Sequence, residues 1–160
     1  MELIALLVII VLLAGIGYLF AGKKKVTVSP EDKLYEAYLS QFDKSKAEIK
    51  LPPIHTKVAG VAYRNLDGTQ RQDIIQGMKV GEKLLLVPEP TNPHDKDAIQ
   101  VVRLTGEVIG YLEMDLALEI KSRLLRKTLV EALVVDIRAD KQNVRQVVIE
   151  LQRYSVRERK

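Results

Sequence analysis

The residues best equipped for chemistry gather in one stretch, Pro88-Glu89-Pro90-Thr91-Asn92-Pro93-His94-Asp95-Lys96-Asp97-Ala98-Ile99. Two kinds of chemistry could use it. His94 beside Asp95 or Asp97 offers a general base and a carboxylate to orient it. Glu89, Asp95 and Asp97 offer the oxygen ligands that Mg²⁺ takes together with phosphate. The other chemistry is binding. Tyr63, His94 and Tyr111 are flat rings near loop ends, and such rings stack on unpaired bases. Arg64, Arg71, Lys96 and Arg103 could meet phosphates, and Thr91 and Asn92 a base edge or a terminal hydroxyl.

Binding is the better supplied of the two. None of the serines stands in a nucleophile-elbow pattern. The chain has no cysteine, which excludes disulfides, thiolate metal sites and cysteine nucleophiles. Its two histidines, His55 and His94, do not form a spaced ligand cluster. There is no dinucleotide-binding glycine fingerprint, no phosphate loop and no internal repeat. The expectation is no catalytic residue, no metal and no cofactor.

Each candidate also has a plainer role. Proline fixes φ and lacks an N–H, so the stretch serves as a stiff connector outside any sheet interior. Asn92 and Asp95 brace such a loop by accepting backbone N–H bonds. Tyr63 and Tyr111 at strand ends suit half-buried packing, and Arg64 and Lys96 suit a solvated surface.

The elements that must position these residues follow from periodicity and turn chemistry. Strands are expected over Ile54–Tyr63, Lys83–Val87, Ala98–Leu104, Glu107–Leu112, Leu129–Arg138 and Val144–Gln152. Gly60 inside the first points to a close backbone approach or a bulge. A short helix, Gln70–Met78, is expected behind a Thr69 cap. A second runs near Glu113–Arg126, with Leu112, Leu116, Ile120 and Leu124 on one face. Six short strands with frequent turns and two inserted helices predict a mainly β fold, a small barrel or strongly curled sheet.

Two segments precede this unit. Leu3–Phe20 is an 18-residue apolar run broken only by Gly15 and Gly17. As a helix it would span about 27 Å, near the roughly 30 Å hydrocarbon core. Lys23, Lys24 and Lys25 follow it and Glu2 precedes it, so a single-pass anchor is expected with its N-terminus outside and the rest on the cytoplasmic side of an inner membrane. A cleaved signal peptide is the rival reading. Residues 1–22 form this anchor and residues 23–53 a stalk. Ser29-Pro30-Glu31-Asp32 starts a stalk helix expected to run over 30–49. Its stripe of Leu34, Tyr38 and Phe42, with Tyr35 and Leu39 beside it, would pack on the domain, on a protein partner or on another copy.

The net charge of +4 does not belong to the folded unit. Residues 54–152 carry 14 basic and 14 acidic side chains, whereas the tail 153–160 carries four basic and one acidic. A neutral unit predicts modest electrostatic affinity for nucleic acid.

The chain resembles the HIRAN family. The resemblance rests on Val58-Ala59-Gly60-Val61-Ala62-Tyr63-Arg64-Asn65, on Asp67-Gly68-Thr69-x-Arg71-Gln72-x-Ile74 and on Gly81-x-x-Leu84. Its most specific part is Glu89-Pro90-x-Asn92-Pro93-His94-Asp95-x-x-Ala98-Ile99-x-Val101, followed by Gly106-x-x-Ile109-Gly110-Tyr111-Leu112. It covers roughly residues 56–150. It implies a six-stranded barrel of the OB or SH3-like kind for residues 54–152, behind the transmembrane helix and helical stalk. It also implies the role of the family's eukaryotic members, which hold the 3′-hydroxyl end of single-stranded DNA within fork-remodelling translocases and so belong to DNA repair. On that pattern Tyr63 and His94 stack on terminal bases, Asn92 and Asp95 frame the end, and Tyr111 touches the DNA backbone. The sequence departs from it at Thr91, where the family has a first asparagine, at His94, where tyrosine is commoner, at Met114, where a basic residue is expected, and at Ala62, where an arginine precedes the tyrosine.

The expected function is a non-catalytic module for single-stranded DNA or DNA ends, tethered to a membrane. The site residues are Tyr63, Arg64, Arg71, Thr91, Asn92, His94, Asp95, Lys96 and Tyr111. The alternatives are a membrane-associated protein-interaction module and a metal-dependent nuclease.

Overall fold

The computed structural model describes residues 29–156. The anchor expected at Leu3–Phe20 and the last four residues of the basic tail lie outside the described residues. Helix α1 (Pro30–Leu39) starts as its sequence dictates. Asp32 N–H donates to Ser29 Oγ at 3.0 Å, and Asp32 Oδ2 accepts in return from Ser29 N–H at 3.4 Å. Two orphan donors at the helix start are thereby satisfied.

The helix ends ten residues earlier than the expected 30–49. Asp43 Oδ1 takes the N–H of Ser45 at 3.0 Å and starts a separate 3₁₀ turn, Lys44–Lys46. Local capture of backbone by Asp competes with helix continuation. Ile49–Lys50 then forms strand β1. The buried face of α1 is Tyr35 and Tyr38, while Leu34 stays exposed. Tyr38 packs edge-on against Phe42 at 5.1 Å. Of the surfaces open to this stripe, the domain itself is occupied: the Tyr35 hydroxyl donates to Glu131 at 3.2 Å, and Lys83 sits 4.6 Å from the Tyr35 ring centre.

Strands β2 (Ile54–Lys57), β3 (Lys83–Pro88), β4 (Ile99–Arg103), β5 (Val108–Tyr111), β6 (Val130–Ala139) and β7 (Arg145–Ser155) complete an antiparallel sheet. Its order is β1-β7-β6-β3-β4-β5, with β2 also on β7. The extra strand relative to the expected six is β1, which lies along β7 on the far side of the Pro52-Pro53 break. The two ends of the sheet meet at one residue pair, where Ala59 bridges Tyr111.

The first strand is shorter than the expected Ile54–Tyr63 because Gly60, at φ +73°, turns the chain out of the sheet. Helix α2 (Arg71–Gln76) is preceded by Gln70, not capped by Thr69. The Thr69 backbone N–H is held by Asp67 instead, at 2.9 Å. Helix α3 (Met114–Leu125) buries Ala117, Ile120 and Leu124. These meet Leu84, Ile99, Val101, Ile109, Val130, Val134, Val147 and Ile149 in a continuous core. The strict alternation of buried positions at the start of β6 keeps one face on that core.

Candidate functional site

The Pro-rich loop joins β3 to β4 and is braced from within. Asn92 Oδ1 accepts the N–H groups of His94 at 2.9 Å and Asp95 at 3.1 Å. Asn92 Nδ2 donates to Glu89 Oε2 at 2.7 Å, and Glu89 Oε1 accepts from Gln100 Nε2 at 2.9 Å. Asp95 Oδ1 takes the N–H of Asp97 at 2.8 Å. Asp97 pairs with Lys121 of α3 at 2.8 Å, and this hydrogen bond holds its carboxyl below the usual range. The loop is thus tied to the sheet at one end and to α3 at the other.

Beside it, the chain leaving β2 turns at Gly60 and presents Tyr63, which is 71% exposed. Arg71, from the first turn of α2, lies underneath and is only 6% exposed. Its Nε donates to Asn65 Oδ1 at 2.7 Å and its Nη1 to Gly60 O at 2.8 Å. Its guanidinium lies 5.1 Å from the centre of the Tyr111 ring. Asn65 Nδ2 in turn donates to Val108 O at 2.8 Å. A Cβ on Gly60 would sit 2.9 Å from Arg71 Nη1, which explains the glycine within the expected strand.

These elements enclose an open cleft of about 630 Å³. Tyr63, Arg64, Arg71, Asn92, His94, Asp95 and Tyr111 line it, joined by Met114 at its rim. A second cleft of about 510 Å³ shares Arg64, Arg71, Asn92, His94 and Tyr111 and continues past Asn65, Glu89 and Gln100. Seven of the nine candidate residues therefore come together, from three separate chain segments. Thr91 and Lys96 line neither cleft. Arg103 is held by Glu82 at 3.2 Å and Glu107 at 2.9 Å and lines a different cleft.

The two arginines on the cleft differ in kind. Arg64 is exposed and spends one Nη1 bond on Gly68 O at 3.1 Å. Arg71, expected as a phosphate contact, turns its Nε and Nη1 to the protein and lies against the Tyr111 ring. Asn65 and Gln100 are not among the expected site residues. Glu89, one of the carboxylates that could supply oxygen to Mg²⁺, braces the loop in the structure. The signal for Glu89 was its spacing of three from Asn92, the reach of a side chain around a turn.

The carboxylates of the loop diverge. Glu89 faces Asn92 and Gln100, Asp95 faces backbone, and Asp97 faces Lys121 rather than His94. Among the described residues no group of His, Asp or Glu side chains converges as metal ligands would.

The HIRAN domain family matches residues 54–152. The chain belongs to the HIRAN family. The HIRAN domain of human HLTF has a similar fold: its crystal structure superposes with a TM-score of 0.53 at 20% identity, over 69% of this chain and 81% of that one. A Lactobacillus plantarum protein of known crystal structure matches with a TM-score of 0.53 at 20% identity, over 67% of this chain and 95% of that one. At such identity the likeness is one of fold. No curated protein sequence matches the chain. The match contains both β-segments that frame the cleft, the Pro-rich loop and α3, and it begins at β2, after α1 and β1.

Proposed function

We propose that this HIRAN domain is a non-catalytic module that binds single-stranded DNA or DNA ends. The observation that carries the reading is the pairing of an exposed Tyr63 with a rigid Asn92–His94–Asp95 frame across one cleft. Tyr63 and His94 stack on terminal bases, Asn92 and Asp95 frame the strand end, Arg64 meets a phosphate and Tyr111 lies against the backbone. We read the ring of strands joined through Ala59 and Tyr111 as the small barrel of the family. Leu3–Phe20 tethers the domain to the inner face of a membrane in this reading. Among the described residues no helix is long and apolar enough to cross one. A reporter fused to the C-terminus tests that topology, and activity confined to the exported side would reverse it.

The test of the binding reading is a titration of labelled oligonucleotides with free and with blocked 3′ ends. Preference for the free end, lost in Tyr63→Ala, supports it. Negligible binding of both strands sinks it. One observation favours a protein partner instead: Met114, Leu118 and Leu125 are exposed on α3 and lie along one side of it. A nuclease reading lacks converging carboxylates.

A further inference from the structure

The neutral charge count of the domain hides a separation of charge. The exposed cation on the aromatic cleft is Arg64, which leaves little to neutralise the backbone behind a bound strand end. Cations gather instead at the other end of α3. There a groove of about 460 Å³ opens between the end of α3, the end of β7 and the 3₁₀ turn Lys44–Lys46. Lys46, Arg123 and Arg126 line it together with the hydroxyl-bearing Thr128 and Ser155, and no carboxylate does.

The cations are placed by tertiary contacts. Lys46 Nζ donates to Arg126 O at 2.8 Å, across 80 residues of sequence. Arg123 is held by Glu119 at 2.9 Å and by Tyr154 O at 3.1 Å. Arg126 spends its Nε on Ser122 O at 3.1 Å and has no ion pair among the described residues. The dipole of α3 favours a cation at its C-terminus. Lys46 comes from a different segment, sets its ammonium on the carbonyl at the end of α3, pairs with Asp43 at 3.6 Å, and adds a third cation to the same groove.

We propose that this groove is a second nucleic-acid site, which takes the phosphodiester backbone of the strand whose end lies in the aromatic cleft. The choice of that ligand rests on the end-binding reading above. Helix α3 connects the two: Met114 at its start lines the cleft, and Arg126, just past its end, lines the groove. Twelve helical residues cover about 18 Å, a span of a few nucleotides of single strand. The groove is concave, which suits a linear chain of phosphates better than a flat bilayer surface. The division of labour is then spatial: rings and a polar frame at the end, cations several nucleotides back.

The experiment titrates labelled DNA of two lengths, about three and about thirty nucleotides, against the full chain in detergent micelles. Arg126→Glu is expected to weaken the long strand about tenfold and to lower its salt slope by about one, while the short strand is unaffected. Arg126→Lys keeps the long-strand affinity. Lys44→Glu, an exposed substitution in the same turn as Lys46, shifts affinity in the same direction and carries the test if Arg126→Glu fails to fold. Long-strand affinity within about twofold of wild type in both variants overturns the proposal, as does equal weakening of both lengths. If Tyr63→Ala changes neither length while Arg126→Glu still weakens the long one, the groove stands and the end-binding reading falls. Absence of binding by the wild type to either length overturns both.

Discussion

Ala59 and Tyr111 exchange both backbone hydrogen bonds, from Ala59 N–H to Tyr111 O at 2.8 Å and from Tyr111 N–H to Ala59 O at 3.0 Å. This one pair joins the two ends of the sheet. It also fixes the backbone that carries the Tyr111 ring over Arg71, so closure of the fold and construction of the cleft are the same event.

Gly110 makes the closure possible. A Cβ there would lie 2.3 Å from Ala59 O and 2.5 Å from Val58 Cγ1. Backbone cannot give way as a flexible side chain can. Gly110→Ala is expected to cost about 3 kcal/mol or more. Urea denaturation measures it, and a loss below about 1 kcal/mol would mean that the strands part without strain.

Arg71 is a test of support against contact. Replacing it with Ala leaves Asn65 Oδ1 without its donor and Gly60 O with the Tyr63 N–H alone, and removes the cation over Tyr111. The expected loss is about 3 kcal/mol of stability. Arg71→Lys should not restore it, because a single ammonium cannot reproduce two divergent donors. A stable Arg71→Lys protein with weakened DNA binding would return Arg71 to the role of a phosphate contact.

Asn92→Asp is nearly isosteric but replaces a donor with an acceptor. Nδ2 now meets Glu89 Oε2 at 2.7 Å, and the substitution would set carboxylate against carboxylate there. The two N–H groups of His94 and Asp95 would still find an oxygen. The loop should lose about 1–3 kcal/mol at neutral pH, with partial recovery on acidification as one carboxyl takes up a proton. Melting curves of Asn92→Asp alone and with Glu89→Gln separate the repulsion from any other effect, since the second change removes it.

Tyr63 is the opposite case. Its ring is largely exposed, so Tyr63→Ala should leave stability within about 0.5 kcal/mol. In binding it should cost about 1–3 kcal/mol for the lost stack. Tyr63→Phe should keep most of the affinity. Paired melting and fluorescence-anisotropy measurements decide between a stacking ring and a bystander.

The docking of α1 predicts an alkaline limit. Burial pushes the Tyr38 hydroxyl up to about 12. Burial raises Tyr35 as well, followed by the charge of Glu131. Burial and the Glu131 hydrogen bond bring Tyr154 up to about 12. Unfolded tyrosine titrates near 10, so the folded chain holds these protons longer than the unfolded chain does. The stabilisation is complete below about pH 10 and is lost as pH rises through the folded values. Near-ultraviolet dichroism should report α1 loosening in that window. Tyr38→Phe, which has no hydroxyl to ionise, should flatten the loss, and an unchanged profile would remove Tyr38 from its cause.

Much of the fold was legible where rules are local. Pro30 behind Ser29 started α1, the period of Ile120 and Leu124 marked the buried side of α3, and the clustered apolar runs marked β3 to β7 within a few residues. Gly60 could be read as a close approach before its neighbour was known. The end of α1 was not legible, because Asp43 competes for backbone with a helix that composition alone would continue. The short strand β1 was hidden for a related reason: its partner Tyr154 lies 104 positions beyond Lys50.

The amino-acid sequence by itself determined the stiffness of the Pro88–Ile99 loop and which side chains it could display, since proline geometry and Asx hydrogen bonding act within a few residues. It also determined the chain's membership of the HIRAN family. Tertiary structure alone decided what those side chains face. It turned Arg71 inward under Tyr111, gave Asp97 to Lys121, set Arg103 between two glutamates and brought Lys46 to Arg126. Each of these depends on which distant segments the sheet closure places side by side, and a charge count cannot carry that information. The balance of 14 basic and 14 acidic residues over 54–152 does not say where the charges lie; the fold leaves rings and a polar frame at one end of α3 and brings Arg123 and Arg126 together with Lys46, from outside that count, at the other.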